Sequence, residues 1–314
     1  MAKLNLDLRI ALEAHQRAMG GLVDFTQMPP KNGRRIELEQ ARNQRFLMPE
    51  VASAVEIKMM GADREPLKGM HIVPPHPRDG IILYFHGGGW AFGSHLTHED
   101  PIRRLSLATS LSVLSISYRL APEHLFPAGL NDCISVWRAL SLGKIPQTKN
   151  TGPFILAGDS AGANLALAAM LNEVEAGNVL PDAALLFYGV YGADFDTPSY
   201  TRWASGPVLT RAKMQRFWDW YCPLPQRQDY LAAPLLAPIE HFRSLPELFI
   251  SAAEIDPLLS DSEQLYRLLS MDPTRNDTFE LWPGLAHGAL GFAHRVDQVR
   301  DHLSAVDRWI QSRF

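Results

Sequence analysis

Gly158-Asp159-Ser160-Ala161-Gly162 sets a serine hydroxyl between two glycines, directly after the apolar run 154–157 and directly before an Ala-rich helical stretch. A serine on so sharp a strand-to-helix turn is exposed at the carboxyl edge of a sheet, where it can act as a nucleophile, and the amide at the helix start favours a developing anion. A second feature is His86-Gly87-Gly88-Gly89-Trp90, which follows the run 81–85. Three successive glycines cost backbone entropy and add no packing, so they mark a place where backbone amides face a ligand. The anionic oxygen of an acyl-transfer intermediate needs such donors. The amides of Gly88, Gly89 and Ala161 are therefore expected to form an oxyanion hole, with His86 and Gly87 supporting the loop. A capping serine would explain the first motif alone, and a hairpin or phosphate nest the second alone.

A serine nucleophile also needs a base, and an acid to orient that base. Four histidines follow Ser160. His294 and His302 fall in or beside a helical stretch, and His241 sits near Pro238 with no strand leading into it. His287 lies in Trp282-Pro283-Gly284-Leu285-Ala286-His287-Gly288, read as a loop that begins where the last strand ends, and is the best base. Glu254, Asp256 and Asp261 compete as the acid. Asp256 precedes Pro257 and would also serve as a helix cap, but its loop position at a strand's carboxyl end favours it. Asp261 would already lie inside the helix. Asp159 adjoins the nucleophile, would point away from it, and reads as structural. The order Ser160, Asp256, His287 is one of the three known for this triad.

Short apolar runs bounded by Gly, Pro or Asp recur at residues 55–59, 70–73, 81–85, 113–118, 154–157, 183–188, 248–252 and 278–282, giving eight strands. Helical spacing occupies 102–110, 130–140, 161–174, 261–269 and 296–310. Strands alternating with helices imply an α/β class with a mostly parallel sheet covered on both faces. Two stretches stay outside the alternation. In residues 1–48, Leu4, Leu8, Ala11, Leu12 and Met19 share a helical face, followed by a loop around Pro29 and Pro30. Residues 191–238 hold Trp203, Phe217, Trp218, Trp220 and Tyr221, an apolar lid or a satellite core.

The 314 residues are 46% hydrophobic and 20% charged, which excludes a disordered chain, a collagen and a polyelectrolyte. A net charge of −4 without like-charge blocks argues against nucleic acid and against a polybasic membrane patch. No run of about 18 apolar residues would span a membrane. The start is broken by charge and lacks a secretory core, and Cys133 and Cys222 allow one disulfide at most and no zinc site. The chain is read as soluble and cytoplasmic.

Together these segments resemble the hormone-sensitive-lipase-like esterases of the α/β-hydrolase superfamily, the subgroup with a Gly-Asp-Ser-Ala-Gly elbow. Further family-like segments are Tyr118-Arg119-Leu120-Ala121-Pro122-Glu123-His124, Phe126-Pro127-Ala128, Pro198-Ser199-Tyr200, Gly206-Pro207 and Ala253-Glu254-Ile255-Asp256-Pro257-Leu258. The resemblance spans about residues 50 to 314. It implies an eight-stranded α/β-hydrolase sheet, with core residues 49–190 and 239–314, and a helical cap built from 1–48 and 191–238. It also implies hydrolysis of short-chain carboxylic esters without cofactor or metal, a small-molecule ester as partner, and a homodimer through the last strand or final helix. Glu123 and His124 are implied as structural supports, with a buried ion pair or a capping role. The chain departs from the family at Ala289, where an aromatic residue is usual, and at Leu259-Ser260, where Arg-Asp is usual. An amidase or deacetylase using the same triad, and a non-catalytic hydrolase-fold receptor, are the alternative readings.

Overall fold

A computed structural model describes residues 2–18, 23–148 and 151–314. Eight strands form one sheet: β1 (Ser53–Met60), β2 (Pro66–Val73), β3 (Ile81–Phe85), β4 (Ser112–Ser117), β5 (Phe154–Asp159), β6 (Ala183–Phe187), β7 (Glu247–Ile255) and β8 (Thr278–Ala286). Their spatial order is β1-β2-β4-β3-β5-β6-β7-β8, with β2 antiparallel to both its neighbours and every other pairing parallel. Each overlaps one of the eight apolar runs of the sequence, with β2 beginning at Pro66 and β8 continuing to Ala286, beyond the expected bounds. In β3 and β6 every residue is buried, as expected of strands covered on both faces.

The sheet separates two apolar clusters. On one face Ile81, Leu83 and Phe85 meet α4 (Ala128–Ser141), α5 (Ala161–Glu175) and α9 (Leu259–Leu269). On the other, Ile82 and Tyr84 meet α1 (Leu6–Ala18), α3 (Glu99–Thr109) and α10 (Asp297–Gln311). In α10 the residues Val299, Leu303, Val306 and Ile310 are buried, one stripe at three- and four-residue spacing. α5 is buried almost all round, because it packs on the sheet from inside a second layer.

The chain leaves β3 toward β4 on one side and returns to β5 on the other. The strand order therefore reverses at β3, and in open α/β sheets ligands bind outside the strand ends at such a switch point. The loop after β3 and the turn after β5 are the two motifs singled out by sequence.

Both stretches outside the alternation are helical. Leu8 and Ala11 of α1 are buried as their spacing predicts; Met19 lies outside the described residues. The expected loop around Pro29 and Pro30 is instead the start of α2 (Pro30–Asn43). Pro30 takes the first turn, where a missing N–H costs nothing. The 191–238 segment contains α6 (Pro198–Arg202) and α7 (Arg211–Tyr221), and α8 (Ile239–Arg243) follows it. Trp218 and Tyr221 are buried, with Tyr221 stacked on Trp90 at 4.1 Å and Trp218 edge-on to it at 4.9 Å. Among the described residues no helix is long and apolar enough to cross a membrane.

Candidate active site

β5 ends at Asp159 and α5 begins at Ala161, leaving Ser160 alone at the turn with φ 54° and ψ −119°. A non-glycine residue there is strained, and such strain persists where the surroundings over-determine it. Here the Ser160 amide donates to the Phe187 carbonyl at 2.9 Å. Gly162 is required by close approach: a Cβ on it would overlap the Phe85 carbonyl, so the elbow can sit against the end of β3 only without a side chain.

His287 Nε2 lies 2.9 Å from Ser160 Oγ, and His287 Nδ1 lies 2.7 Å from Asp256 Oδ2. A carboxylate only accepts, so Nδ1 carries the hydrogen and Nε2 accepts from the serine hydroxyl. Asp256 is fully buried, and its other oxygen accepts from the Leu258 amide at 2.9 Å. Asp256 thus stands in the orienting position but does not cap α9, whose first turn is preceded by Leu258 as its cap residue; its second oxygen instead closes the turn that leads to the helix. His287 does not stand in a loop beginning at Trp282. β8 runs on to Ala286, with Ile255 paired to Ala286 after a register shift in β7. Pro283 is tolerated because β8 is an edge strand. Tyr188, which the sequence offered only as a strand end, sets its ring edge-on to His287 at 5.0 Å.

The loop after β3 packs beside the elbow. Gly87 N donates to Asp159 Oδ1 at 2.9 Å, and Tyr84 Oη donates to the same oxygen at 2.7 Å. The amides of Gly88 and Gly89 have no acceptor among the described residues. Gly89 has φ +57°, and a Cβ on it would strike the Phe217 ring of α7. His86 is buried, its pKa pushed down to about 3 by burial and by the nearby His98, so it is neutral. Its Nδ1 donates to the Gly87 carbonyl at 2.8 Å, and its ring stacks on Tyr118 at 4.3 Å.

Glu123 is not in a buried ion pair. It is exposed and meets Arg34 of α2 at 2.7 Å, and Arg34 also donates to the Ala91 and Ala121 carbonyls. His124 is exposed as well. Asp261, set aside from the triad as helical, is buried in the first turn of α9 and accepts from the Tyr191 and Gly192 amides at 2.7 and 2.9 Å. Sequence reasoning missed His98, whose Nε2 lies 3.6 Å from Asp159 Oδ1. Its available signal was a histidine before Glu99-Asp100 at a helix start, shortly after the glycine loop.

A cavity of about 180 Å³ lies on the Asp159 and His98 side of the elbow, bordered by Met48, Tyr84, His98, Asp159, Tyr188 and Leu290. Among the described residues no group of three or more His, Cys, Asp or Glu side chains could hold a metal ion. Residues 82–291 match the alpha/beta hydrolase fold family. The chain belongs to that family. The hydrolase is 31% identical to carboxylesterase NlhH of Mycobacterium tuberculosis over 276 residues, 86% of each chain. It is 30% identical to an acetyl esterase of Salmonella schwarzengrund over 246 residues, 76% of this chain and 74% of that one. Among solved structures it is similar to a fungal esterase of Rhizomucor miehei, with a TM-score of 0.89 and 27% identity over 99% of this chain and 97% of the other.

Proposed function

We propose that this carboxylic ester hydrolase works through an acyl-enzyme. Ser160 attacks the ester carbonyl while His287 takes its proton; His287 then passes the proton to the leaving alkoxide, and water repeats the cycle in reverse roles. Asp256 holds the imidazole in the working tautomer and stabilises its charged form. The amides of Gly88, Gly89 and Ala161 receive the oxyanion. The observation that carries the reading is the unbroken relay from Asp256 through His287 to Ser160, at 2.7 and 2.9 Å.

Residues 1–48 and 191–238 act as a cap over the site. The support is the seat of α7 on the glycine loop, through Trp90, Phe217 and Tyr221. The substrate is a short-chain ester, in keeping with the Phe217 ring of α7 standing against Gly89 of the glycine loop. The kinship with a protein named acetyl esterase points the same way. Cys133 and Cys222 are buried and free, which supports a reducing, cytoplasmic setting.

The test is Ser160→Ala with p-nitrophenyl butyrate. The expected result is loss of turnover to near background together with loss of labelling by a fluorophosphonate probe; retention of near wild-type turnover overturns the assignment.

A further inference from the structure

Behind the glycine loop lies a layer of ionisable groups that the relay itself does not use. Asp159 is the nucleophile's neighbour, and its Oδ1 is the acceptor for both the Gly87 amide and the Tyr84 hydroxyl. An acceptor that holds two donors from the strand and loop bearing the expected oxyanion amides must stay a carboxylate to hold both well. A buried carboxylate needs a counter-charge. The arginines are committed elsewhere: Arg34 pairs with Glu123 and Arg104 with Asp100. The cation that reaches Asp159 is His98, at 3.6 Å, at the N-terminal edge of α3.

The placement of His98 is determined from three sides. Its amide donates to the Ser94 carbonyl at 3.2 Å, its Nδ1 lies 3.1 Å from Thr97 Oγ1, and its ring packs 5.3 Å from His86. Burial works against its charge, but Asp159 first and then Glu37 of α2 outweigh it, so its pKa lies above the ordinary value. Asp159 in turn is held below the usual carboxylate range: burial opposes this, and His98, the Tyr84 hydroxyl and the Gly87 amide overcome it. The other groups facing this pair fit that distribution of charge. Glu37, pushed up by burial, accepts from the Gly93 amide at 3.0 Å, and the neutral His86 takes no proton from His98. His95 is lowered mainly by burial, and Tyr84 keeps its proton.

We propose that His98 is a positioning residue for ester hydrolysis, pairing with Asp159 behind the glycine loop so that this carboxylate keeps Gly87 in place and the Gly88 and Gly89 amides ready for the oxyanion. The inference rests on the acyl-enzyme reading above and deepens it. His98 touches no reacting atom. Its loss loosens the anion-binding amides, which matter in the transition state and little in ground-state binding.

The experiment compares wild type with His98→Asn, which cannot carry charge, and His98→Lys, which can. The kcat and KM for p-nitrophenyl acetate are measured against pH and normalised to serine labelled by a fluorophosphonate. His98→Asn is expected to lose about tenfold or more in kcat, part of the about 100–1,000-fold that deleting one oxyanion donor causes, with KM little changed. Wild type is expected to lose kcat on the alkaline side as His98 discharges. That limb disappears in His98→Asn and moves to higher pH in His98→Lys. A wild-type kcat per labelled serine in His98→Asn, or an unchanged alkaline limb, overturns the proposal. If neither variant folds, the wild-type imidazole resonance of His98 decides. Titration above the ordinary 6.5, with the same midpoint as the kcat limb, supports it, and titration below 6.5 overturns it. Absence of Ser160 labelling in wild type would instead strike at the acyl-enzyme reading.

Discussion

Asp256 carries two demands on one carboxylate. One oxygen accepts from the Leu258 amide and the other faces His287 Nδ1. Asp256→Asn is isosteric and keeps a carbonyl oxygen for either contact, but its amide nitrogen competes for the imidazole and favours the wrong tautomer. The expected outcome is a fall in kcat of about 10³–10⁴-fold with a modest change in KM, read from steady-state ester hydrolysis. Ser160, Asp256 and His287 were legible because each follows the carboxyl end of an apolar run, and a relay of this kind needs groups delivered to one sheet edge. His98 was not legible. Its partner is delivered by a different strand, β5, and comes near only because β3 and β5 are neighbours in the sheet. In the hydrolase order the base of such a triad follows the nucleophile in the chain, whereas a positioning histidine obeys no such order. Glu123 was legible as an ion-pair residue and misread as buried, because its partner Arg34 lies in the unforeseen helix α2.

Among elements, α9 and the segment before it do more than support β7. Ser199 of α6 and Ser260 of α9 bond reciprocally, each amide to the other's hydroxyl, at 3.2 and 3.0 Å. The next residue, Asp261, grips the amides of Tyr191 and Gly192, where the chain enters the second proposed cap segment. Burial first, against the two amides' help, raises the Asp261 pKa to about 7, and the charge of nearby Asp256 adds to the rise. The ordinary aspartate value is 3.8. An acid whose folded value lies above its unfolded one contributes stability that is complete below about 4, where both states are protonated. That contribution is lost as the pH rises toward 7, because the unfolded chain ionises first. Thermal unfolding of Asp261→Asn is therefore expected to fall less between pH 4 and 7 than that of wild type; parallel curves would contradict this. The eight strands were readable because hydrophobic runs of five or so residues need little context. The helix α2 was not, because only Gly33 among its residues is buried and its polar sequence presents no apolar stripe.

For the whole molecule, the α1–α2 region and the 191–238 segment converge on one end of the sheet. Trp90 stacks under Tyr221 while Phe92 lies 5.8 Å from Phe25 and 6.0 Å from Phe217, so the glycine loop is clasped from both sides. If this aromatic packing is the proposed cap, it limits the length of substrate that the loop can accept. Turnover across p-nitrophenyl esters is expected to peak between about two and six acyl carbons. A maximum at ten or more would overturn the short-chain reading. In the sequence the apolar insert reads equally as a lid or as a core, and the same rings that meet the loop, Trp218, Trp220 and Tyr221, also join the core beside the sheet.

The α1 region meets the far end of the chain. Asn5 donates its amide to the Gly284 carbonyl at 2.8 Å and its side chain to Gln298 at 2.8 Å, bracketing the strand end from which His287 projects. Seen through synthesis on the ribosome, this is a contact whose two halves, Asn5 and Gln298, emerge 293 residues apart. α1 is made well before β8 and has no such strand to rest on until residues 278–286 have followed. Closing so long a loop is costly and slow, so this seam forms late. His287, which follows β8 directly, can join Ser160 and Asp256 only once the strand that bears this seam has been made.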